Sequence, residues 1–351
     1  MAVVSNKIKN ERGDMMKKVA INGFGRIGRL VFRVMEEEPE LEVVAVNDLT
    51  DAEQLAYLLK YDSNHRNYRV DEISYEGDYL IVGGRKIRVF AEKDPALLPL
   101  KDLGIDIVFE CTGKFTSKEK AMAHINAGAK KVIISAPAKG DLKTIVYNVN
   151  EKILDGSEEI ISAASCTTNC LAPVLDLLHK KFGVERGFMT TVHAYTNDQV
   201  ILDVAHRKGI ESRRGRAGAM NIVPTSTGAA SAIGAVIPEL EGRLDGIALR
   251  VPSPTGSVID LVVELKKKVT VEDINKAFIE NQNETLLYTN DPIVSSDVIG
   301  SYYGAIVDGL SINVLDVDGK QLVKVIAWYD NEMGYSVQMV RTAKYLASLI
   351  K

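Results

Sequence analysis

The stretch "KKVAINGFGRIGRLVFRVMEE", residues 17–37, changes its hydrophobic period midway. Val19 to Ile21 read as a short apolar strand. Gly23-Phe24-Gly25-Arg26-Ile27-Gly28 follows, a G-x-G-x-x-G run. Then Ile27, Leu30, Val31, Val34 and Met35 recur at helical spacing. A glycine motif alone is a weak signal. Set between a strand and an amphipathic helix, it has the context that dinucleotide binding requires. Gly23 permits the tight turn, Gly25 lets backbone approach a pyrophosphate, and Gly28 lets helix pack closely on strand. The helix N-terminus adds N–H donors and positive potential. The next apolar run, "LEVVAVND", ends in Asp48, where a carboxylate would meet the ribose hydroxyls of NAD. A tight strand–helix turn with no ligand is the bland alternative. The strand, glycines, helix and Asp48 together weigh against it.

More apolar strands follow: "KIRVF" (86–90), "DIVFECTG" (106–113) and "KKVIISAP" (130–137). "SKEKAMAHINAGA" between the last two reads as a helix ending near Gly128. The alternation predicts a mostly parallel sheet with helices on its faces. Thr112 and Ser135 fall at or near C-terminal strand ends, the edge where such sheets bind ligands. For either alone, capping a turn is the simpler role.

The 351 residues allow two domains. With 46% apolar and 26% charged residues, the composition is that of an ordinary globular protein. A net charge of -4 gives no reason to expect nucleic acid as a main partner. No apolar run approaches the ~18 residues of a membrane span. Residues 1–16, "MAVVSNKIKNERGDMM", lack the apolar centre of a signal peptide and read as an N-terminal extension. Three cysteines are too few for a disulfide framework, and a reducing, cytoplasmic setting is the simpler reading. A structural zinc would want two further ligands near Cys166 and Cys170, and the five histidines show no paired metal spacing, so no metal site is expected.

The chemistry centres on "ISAASCTTNC", residues 161–170. A short strand-like run feeds Cys166, and "CTTNCLAPVLDLLHKKFG" looks helical, with Gly183 as a stop. Pro173 lies inside that helix and should bend or weaken its first turns. Ser165 or Thr167 can cap it. Cys166 then sits at the positive end of a helix, which lowers a thiol pKa and favours thiolate. Cys170, one turn in, reads as a small core residue. A reactive thiol needs a base. His193, in the strand-like "FMTTVHAY", is the best candidate, sharing one strand face with Met189, Thr191 and Tyr195. A lone strand histidine is more often structural, and spacing alone does not bring it to Cys166. His179 and His206 fall in polar contexts and read as exposed. Three further features suggest an anion: Arg213, Arg214 and Arg216 in a glycine-rich loop; Thr225, Ser226, Thr227 and Gly228 before a small-residue helix; and Arg250 ending a strand-like run.

From about Lys18 to the C-terminus the chain resembles the phosphorylating glyceraldehyde-3-phosphate dehydrogenases. The resemblance rests on "INGFGRIGRL", "KYDS", "SAASCTTNCLAP", "TTVHAYTNDQ", "STGAA", "IPEL", "LRVP" and "WYDNEMGYS", in that order. It implies an α/β chain: a Rossmann-type dinucleotide-binding domain (17–165 and 331–351) and an α+β catalytic domain (166–330) with a mainly antiparallel sheet. It makes Cys166 the nucleophile and His193 its base. Thr196 and Arg250 would grip the sugar phosphate. Ser165, Thr167 and Thr227–Gly228 would receive inorganic phosphate, with Asp198 and Arg214 nearby. Cofactor contacts would fall on Arg26, Ile27, Asp48, Lys93, Ser135 and Asn331, with Tyr335 packed beside. NAD is the implied cofactor, a phosphorylated aldehyde and inorganic phosphate the substrates, and a homotetramer the assembly. No membrane and no primary nucleic-acid role are implied.

Two departures stand out. Ala205 replaces a proline common in NAD-specific members, and the stretch before the arginines is longer, so NADP use stays open. Asp48 argues for NAD, because its charge repels a 2′-phosphate. "IGSYYGAIVD" stands where related chains usually carry a His-Ser pair, and it has no functional reading. Competing readings are an erythrose-4-phosphate relative, a non-catalytic nucleotide-binding protein, and a cysteine hydrolase. The last would share Cys and His but would not need the glycine turn or Asp48.

Overall fold

The computed structural model describes residues 16–350. All but Met16 of the proposed extension therefore lies outside the described residues. Two compact units divide the chain. One takes the chain up to Ile145, Glu151–Ala164 and the part from Met339 onward; the other takes Val146–Asn150 and Ser165–Gln338.

The first unit is built on nine strands: β1 (Lys17–Asn22), β2 (Leu41–Asn47), β3 (Ile73–Glu76), β4 (Tyr79–Val82), β5 (Arg85–Phe90), β6 (Ile107–Glu110), β7 (Lys131–Ile134), β8 (Lys143–Thr144) and β9 (Ile160–Ser162). Their order is β3-β4-β5-β2-β1-β6-β7-β9-β8. All pairs run parallel except the β3–β4–β5 meander. That meander is a departure from the expected parallel pattern, and its turns fall at Glu76-Gly77-Asp78 and Gly83-Gly84, the usual hairpin chemistry. Helices α1 (Arg26–Met35), α2 (Ala52–Lys60), α3 (Leu100–Leu103) and α4 (Lys118–Asn126) connect the strands. Leu30, Val31, Val34 and Met35 of α1 are buried as their spacing predicts, while Ile27 is only half-buried. Strand β1 has β2 on one side and β6 on the other. The connections reverse there, which makes the C-terminal ends of β1 and β6 the ligand-binding switch point of such a sheet.

In the second unit α5 (Cys166–Phe182) precedes β10 (Val184–Ala194), β11 (Val223–Ser226), β12 (Leu244–Val251) and β13 (Ser257–Leu265). Next come α6 (Val271–Glu280), β14 (Leu286–Thr289), β15 (Ala305–Asp308), β16 (Asn313–Val317) and β17 (Lys320–Tyr329). The sheet order is β11-β12-β10-β13-β17-β15-β14, with β16 paired to β17. It is mainly antiparallel; β10–β12 and β14–β15 are the parallel pairs. Strand β10 alternates as expected, with Met189, Thr191 and His193 buried and Phe188 exposed. Helix α7 (Met333–Leu349) belongs to the second unit up to Gln338 and to the first from Met339. In this division the change of unit falls at Met339, against an expected residue 331.

Candidate functional site

The cofactor cleft of the first unit grows from the glycine turn. Gly23 has a φ of 90°, and a Cβ there would lie 2.7 Å from the Thr112 nitrogen. The loops after β1 and β6 therefore approach backbone to backbone, which only glycine permits. A Cβ on Gly28 would meet the Gly23 carbonyl oxygen at 2.1 Å, so α1 packs directly on the turn. Gly25 differs: a Cβ there would meet nothing within 4 Å. It is the N-cap of α1 and offers no side-chain cap. An open glycine at an uncapped helix start is a cradle for a diphosphate. Asp48 accepts from Phe24 N (2.7 Å) and Leu49 N (2.7 Å), which fixes its carboxylate beside the turn and leaves lone pairs for ribose hydroxyls. Gly23, Gly25, Asp48, Lys93, Thr112 and Cys111 line one cleft. These residues fit a dinucleotide. The Arg26 guanidinium is turned to Asp62 at 2.6 Å.

Thr112 accepts from Lys114 N (3.0 Å) and donates to Glu110, so its hydroxyl is a turn cap in this structure. Sequence reading missed the buried polar set behind it. Glu110 also takes Asn22 Nδ2 (2.6 Å) and lies 2.9 Å from His124 Nε2, and Asn47 Nδ2 reaches Asn22 Oδ1 at 2.7 Å. These bonds hold the ends of β1, β2 and β6 together, while His124 Nδ1 has no hydrogen-bond partner among the described residues. The helical "KEKAMAHIN" carried no signal that His124 points inward.

The second unit holds the thiol. Ser165 is the N-cap of α5: its Oγ accepts from Thr168 N at 3.1 Å. The preceding residue, Ala164, has a φ of 58° in the left-handed region, a strained elbow for a residue with a Cβ. Ser162 Oγ holds that elbow by accepting Ala164 N at 3.1 Å. The helix runs through Pro173 without a break, because its face is buried against the sheet and tertiary packing outweighs one lost bond. Cys170 is fully buried, as a core residue should be.

Cys166 Sγ lies 3.3 Å from His193 Nε2. His193 is on β10, directly opposite Arg250 on parallel β12, and α5 packs on the same sheet. Arg250 Nη1 lies 2.7 Å from His193 Nδ1 and donates to Ala194 O at 2.9 Å. His193 Nδ1 is itself 2.7 Å from Ala194 O. With the proton on Nδ1 and donated to Ala194 O, Nε2 is a free base facing the thiol. Burial, and then the Arg250 charge, push His193 down from 6.5 to about 3, so the imidazole is neutral at physiological pH.

For Cys166 the outcome differs from the sequence expectation. Burial raises the thiol above its ordinary value; Arg250, Thr167 and the helix-start amides pull the other way without reversing it. Nε2 of His193, 3.3 Å away, is the group placed to take the thiol proton. Alkylation of Cys166 by iodoacetamide should therefore have a pH midpoint above that of a free thiol. In Arg250→Ala that midpoint is expected to move further up. A downward shift would contradict the role of the Arg250 charge.

The anion residues group in part. Asp198 accepts from Thr196 and pairs with Arg214, and Arg214 Nε donates to Thr225 Oγ1 at 3.1 Å. Burial opposes the Asp198 charge, but Thr196, Arg214 and Arg250 keep its pKa below the usual range. Thr167 turns inward: it is 4% exposed and its hydroxyl lies 2.9 Å from Tyr329 Oη. Thr227 and Gly228 stay near the surface. The helix expected after them is only a short 3-10 segment, Ser231–Ala235. Its run of small residues lacks the apolar periodicity that would anchor a longer helix. His179 and His206 are half-buried rather than exposed: Nδ1 of His179 accepts from Val184 N (3.1 Å), and Nε2 of His206 lies 2.9 Å from Asp198 O. Tyr329 is a further residue the sequence did not single out. Its hydroxyl joins Thr167 to Thr191 Oγ1 (2.8 Å), and its ring stands edge-on to His193.

A Rossmann unit, with a thiol and an imidazole in contact elsewhere in the chain, defines an NAD-dependent oxidoreductase. Comparison with known proteins gives the family. Residues 17–118 match the family model for the glyceraldehyde 3-phosphate dehydrogenase NAD binding domain, and residues 165–331 match that for the C-terminal domain. Glyceraldehyde-3-phosphate dehydrogenase of Clostridium pasteurianum is 60% identical over 336 residues, covering 96% of this chain and 100% of that protein. The Clostridium acetobutylicum protein of the same name matches to the same extent. That of Streptococcus pyogenes is 55% identical over 338 residues, 96% of this chain and all of its own. The chain belongs to the glyceraldehyde-3-phosphate dehydrogenase family.

Proposed function

We propose that this chain oxidises D-glyceraldehyde 3-phosphate with NAD and inorganic phosphate to 1,3-bisphosphoglycerate, a glycolytic step. The observation that carries the reading is the 3.3 Å approach of Cys166 Sγ to His193 Nε2 at the start of α5. Cys166 attacks the aldehyde carbon, and its proton passes to His193, leaving a hemithioacetal. The nascent oxyanion takes the Cys166 backbone N–H, one of the uncapped amides of the helix start. His193 hands that proton to the oxyanion, completing the hemithioacetal hydroxyl, and takes it back as the hemithioacetal is oxidised to a thioester on Cys166. NAD, when bound, accepts the hydride. Inorganic phosphate then attacks the thioester carbon, the C–S bond breaks, and Cys166 leaves as thiolate. The thioester keeps the free energy of oxidation available for making an acyl phosphate. An oxygen ester on serine would keep less.

Arg250 and Thr196 take the sugar phosphate. Ser165, Thr167 and Thr227–Gly228 take the attacking phosphate, and for Thr167 this requires Tyr329 Oη to be the donor between the two hydroxyls, which frees the Thr167 proton for phosphate. Gly23, Gly25, Arg26, Ile27, Gly28, Asp48, Lys93, Thr112 and Ser135 hold the cofactor, with Asn331 and Tyr335 at its nicotinamide end. The working form is a cytoplasmic homotetramer. The loop after β10 offers apolar side chains for self-association: Ile201, Ile210 and Met220 are 85%, 92% and 79% exposed. No helix among the described residues is long and apolar enough to cross a membrane.

Steady-state kinetics with NAD and NADP, glyceraldehyde 3-phosphate and erythrose 4-phosphate, each with and without phosphate, tests the reading. Phosphate-dependent reduction of NAD with the triose is expected to dominate. Preference for erythrose 4-phosphate, or phosphate-independent turnover, would sink it. Asp48→Asn removes the charge that repels a 2′-phosphate and is expected to cut the NAD-over-NADP preference in kcat/KM by about tenfold or more. An unchanged ratio would mean that selectivity lies elsewhere, with Ala205 and the longer loop as the place to look.

A further inference from the structure

Ser257 opens β13 and is 1% exposed. No step above uses it, yet both hydrogen-bonding roles of its hydroxyl are taken. Its Oγ accepts from Ala194 N at 3.0 Å and donates to Asn331 Oδ1 at 2.9 Å. Ala194 follows His193, and its carbonyl takes the His193 and Arg250 contacts described above. One hydroxyl therefore ties the peptide beside the imidazole to the side chain of Asn331.

The bonds also fix which way the Asn331 amide points. Gly256 N donates to Asn331 Oδ1 at 3.1 Å. A backbone N–H can only donate, so the atom facing it must be the oxygen. Ser257 and Gly256 then occupy both lone pairs of Oδ1, with Thr255 Oγ1 a longer third neighbour at 3.4 Å. The amide Nδ2 is directed away from this cluster and makes no hydrogen bond among the described residues. What Asn331 presents to a ligand is a donor, suited to a carbonyl oxygen.

We propose that Ser257 is a positioning residue for cofactor recognition: by holding Oδ1 of Asn331 it presents Nδ2 as a fixed donor to the carboxamide oxygen of a pyridine nucleotide. The proposal rests on NAD being the cofactor, as read above. Without the Ser257 hydroxyl, Asn331 keeps Gly256 N alone and its amide can turn. A ligand that lacks the pyridine ring has no carboxamide to meet Asn331 and should therefore not notice the change.

Isothermal titration calorimetry of full-length protein with NAD and with ADP-ribose separates the cases. Wild-type protein is expected to bind NAD more tightly than ADP-ribose. Ser257→Ala is expected to weaken NAD about tenfold while leaving ADP-ribose within twofold. Asn331→Ala should weaken NAD similarly, and adding Ser257→Ala to it should cost little more. Ser257→Cys, which keeps the volume and a weak donor, should fall between wild type and Ser257→Ala, and it serves if the alanine variant does not fold. Equal weakening of both ligands, unchanged NAD binding, or additive losses in the double variant would overturn the proposal. Wild-type protein that bound neither ligand would overturn the cofactor reading, and the proposal with it.

Discussion

Cys166→Ala is expected to abolish phosphate-dependent NADH formation, a loss on the order of 10⁴-fold or more, the scale seen when a covalent nucleophile is removed. The physical reason is specific to sulfur at this place. Cys166 is the first residue of a 17-residue helix, half-buried, with an imidazole nitrogen 3.3 Å from its Sγ. No other cysteine can replace it. Cys170 is fully buried, and burial holds its thiol well above the ordinary range. Cys111 lies in the first unit, where burial and the neighbouring Glu110 charge likewise raise its thiol. NAD binding by the Cys166→Ala protein, measured by calorimetry, should survive, because the dinucleotide cleft lies among residues of the first unit. Robust turnover by this variant would remove Cys166 from the mechanism.

His193→Asn is expected to lower kcat by 10²- to 10⁴-fold, the usual contribution of a positioned general base. It should also slow alkylation of Cys166 near neutral pH, since Nε2 no longer takes the thiol proton. The same residue leaves a mark on stability. Its pKa is about 3 in the folded protein against an ordinary 6.5. Between those values the unfolded chain binds the extra proton, so stability falls as pH drops below about 6.5. Thermal unfolding from pH 7 to pH 4 should fall less steeply in His193→Asn than in wild type. A steeper or equal slope would contradict a buried neutral imidazole.

Much of the first unit was legible because its signals are local. Gly23, Gly25 and Gly28 sit within six residues between a strand and a helix, so the motif is complete in one short stretch. Asp48 follows at the end of the next strand. The β3–β4–β5 meander was passed over although Gly77 and Gly83-Gly84 marked its turns, because the alternating βα pattern around it dominates the stretch. The second unit hid its key contacts for a different reason. Cys166 and His193 meet where α5 packs on the sheet, whose register depends on β12 and β13, which come later in the chain. The same register sets Arg250 opposite His193. Thiol acidity is set by opposing effects of which sequence shows one: a helix terminus is visible in it, but desolvation is not. Ser257, Tyr329 and His124 gave no signal at all, since a buried hydroxyl or imidazole acquires its role only from the groups that packing brings to it.

The central claim is that oxidation proceeds through an acyl group carried on Cys166. Intact-protein and peptide mass spectrometry after brief mixing with glyceraldehyde 3-phosphate and NAD, with phosphate omitted, tests it most directly. The account predicts a phosphoglyceroyl thioester on the peptide containing Cys166, in step with a burst of NADH, and its discharge when inorganic phosphate is added. A burst of NADH with Cys166 unmodified, or an adduct on another residue, would contradict it.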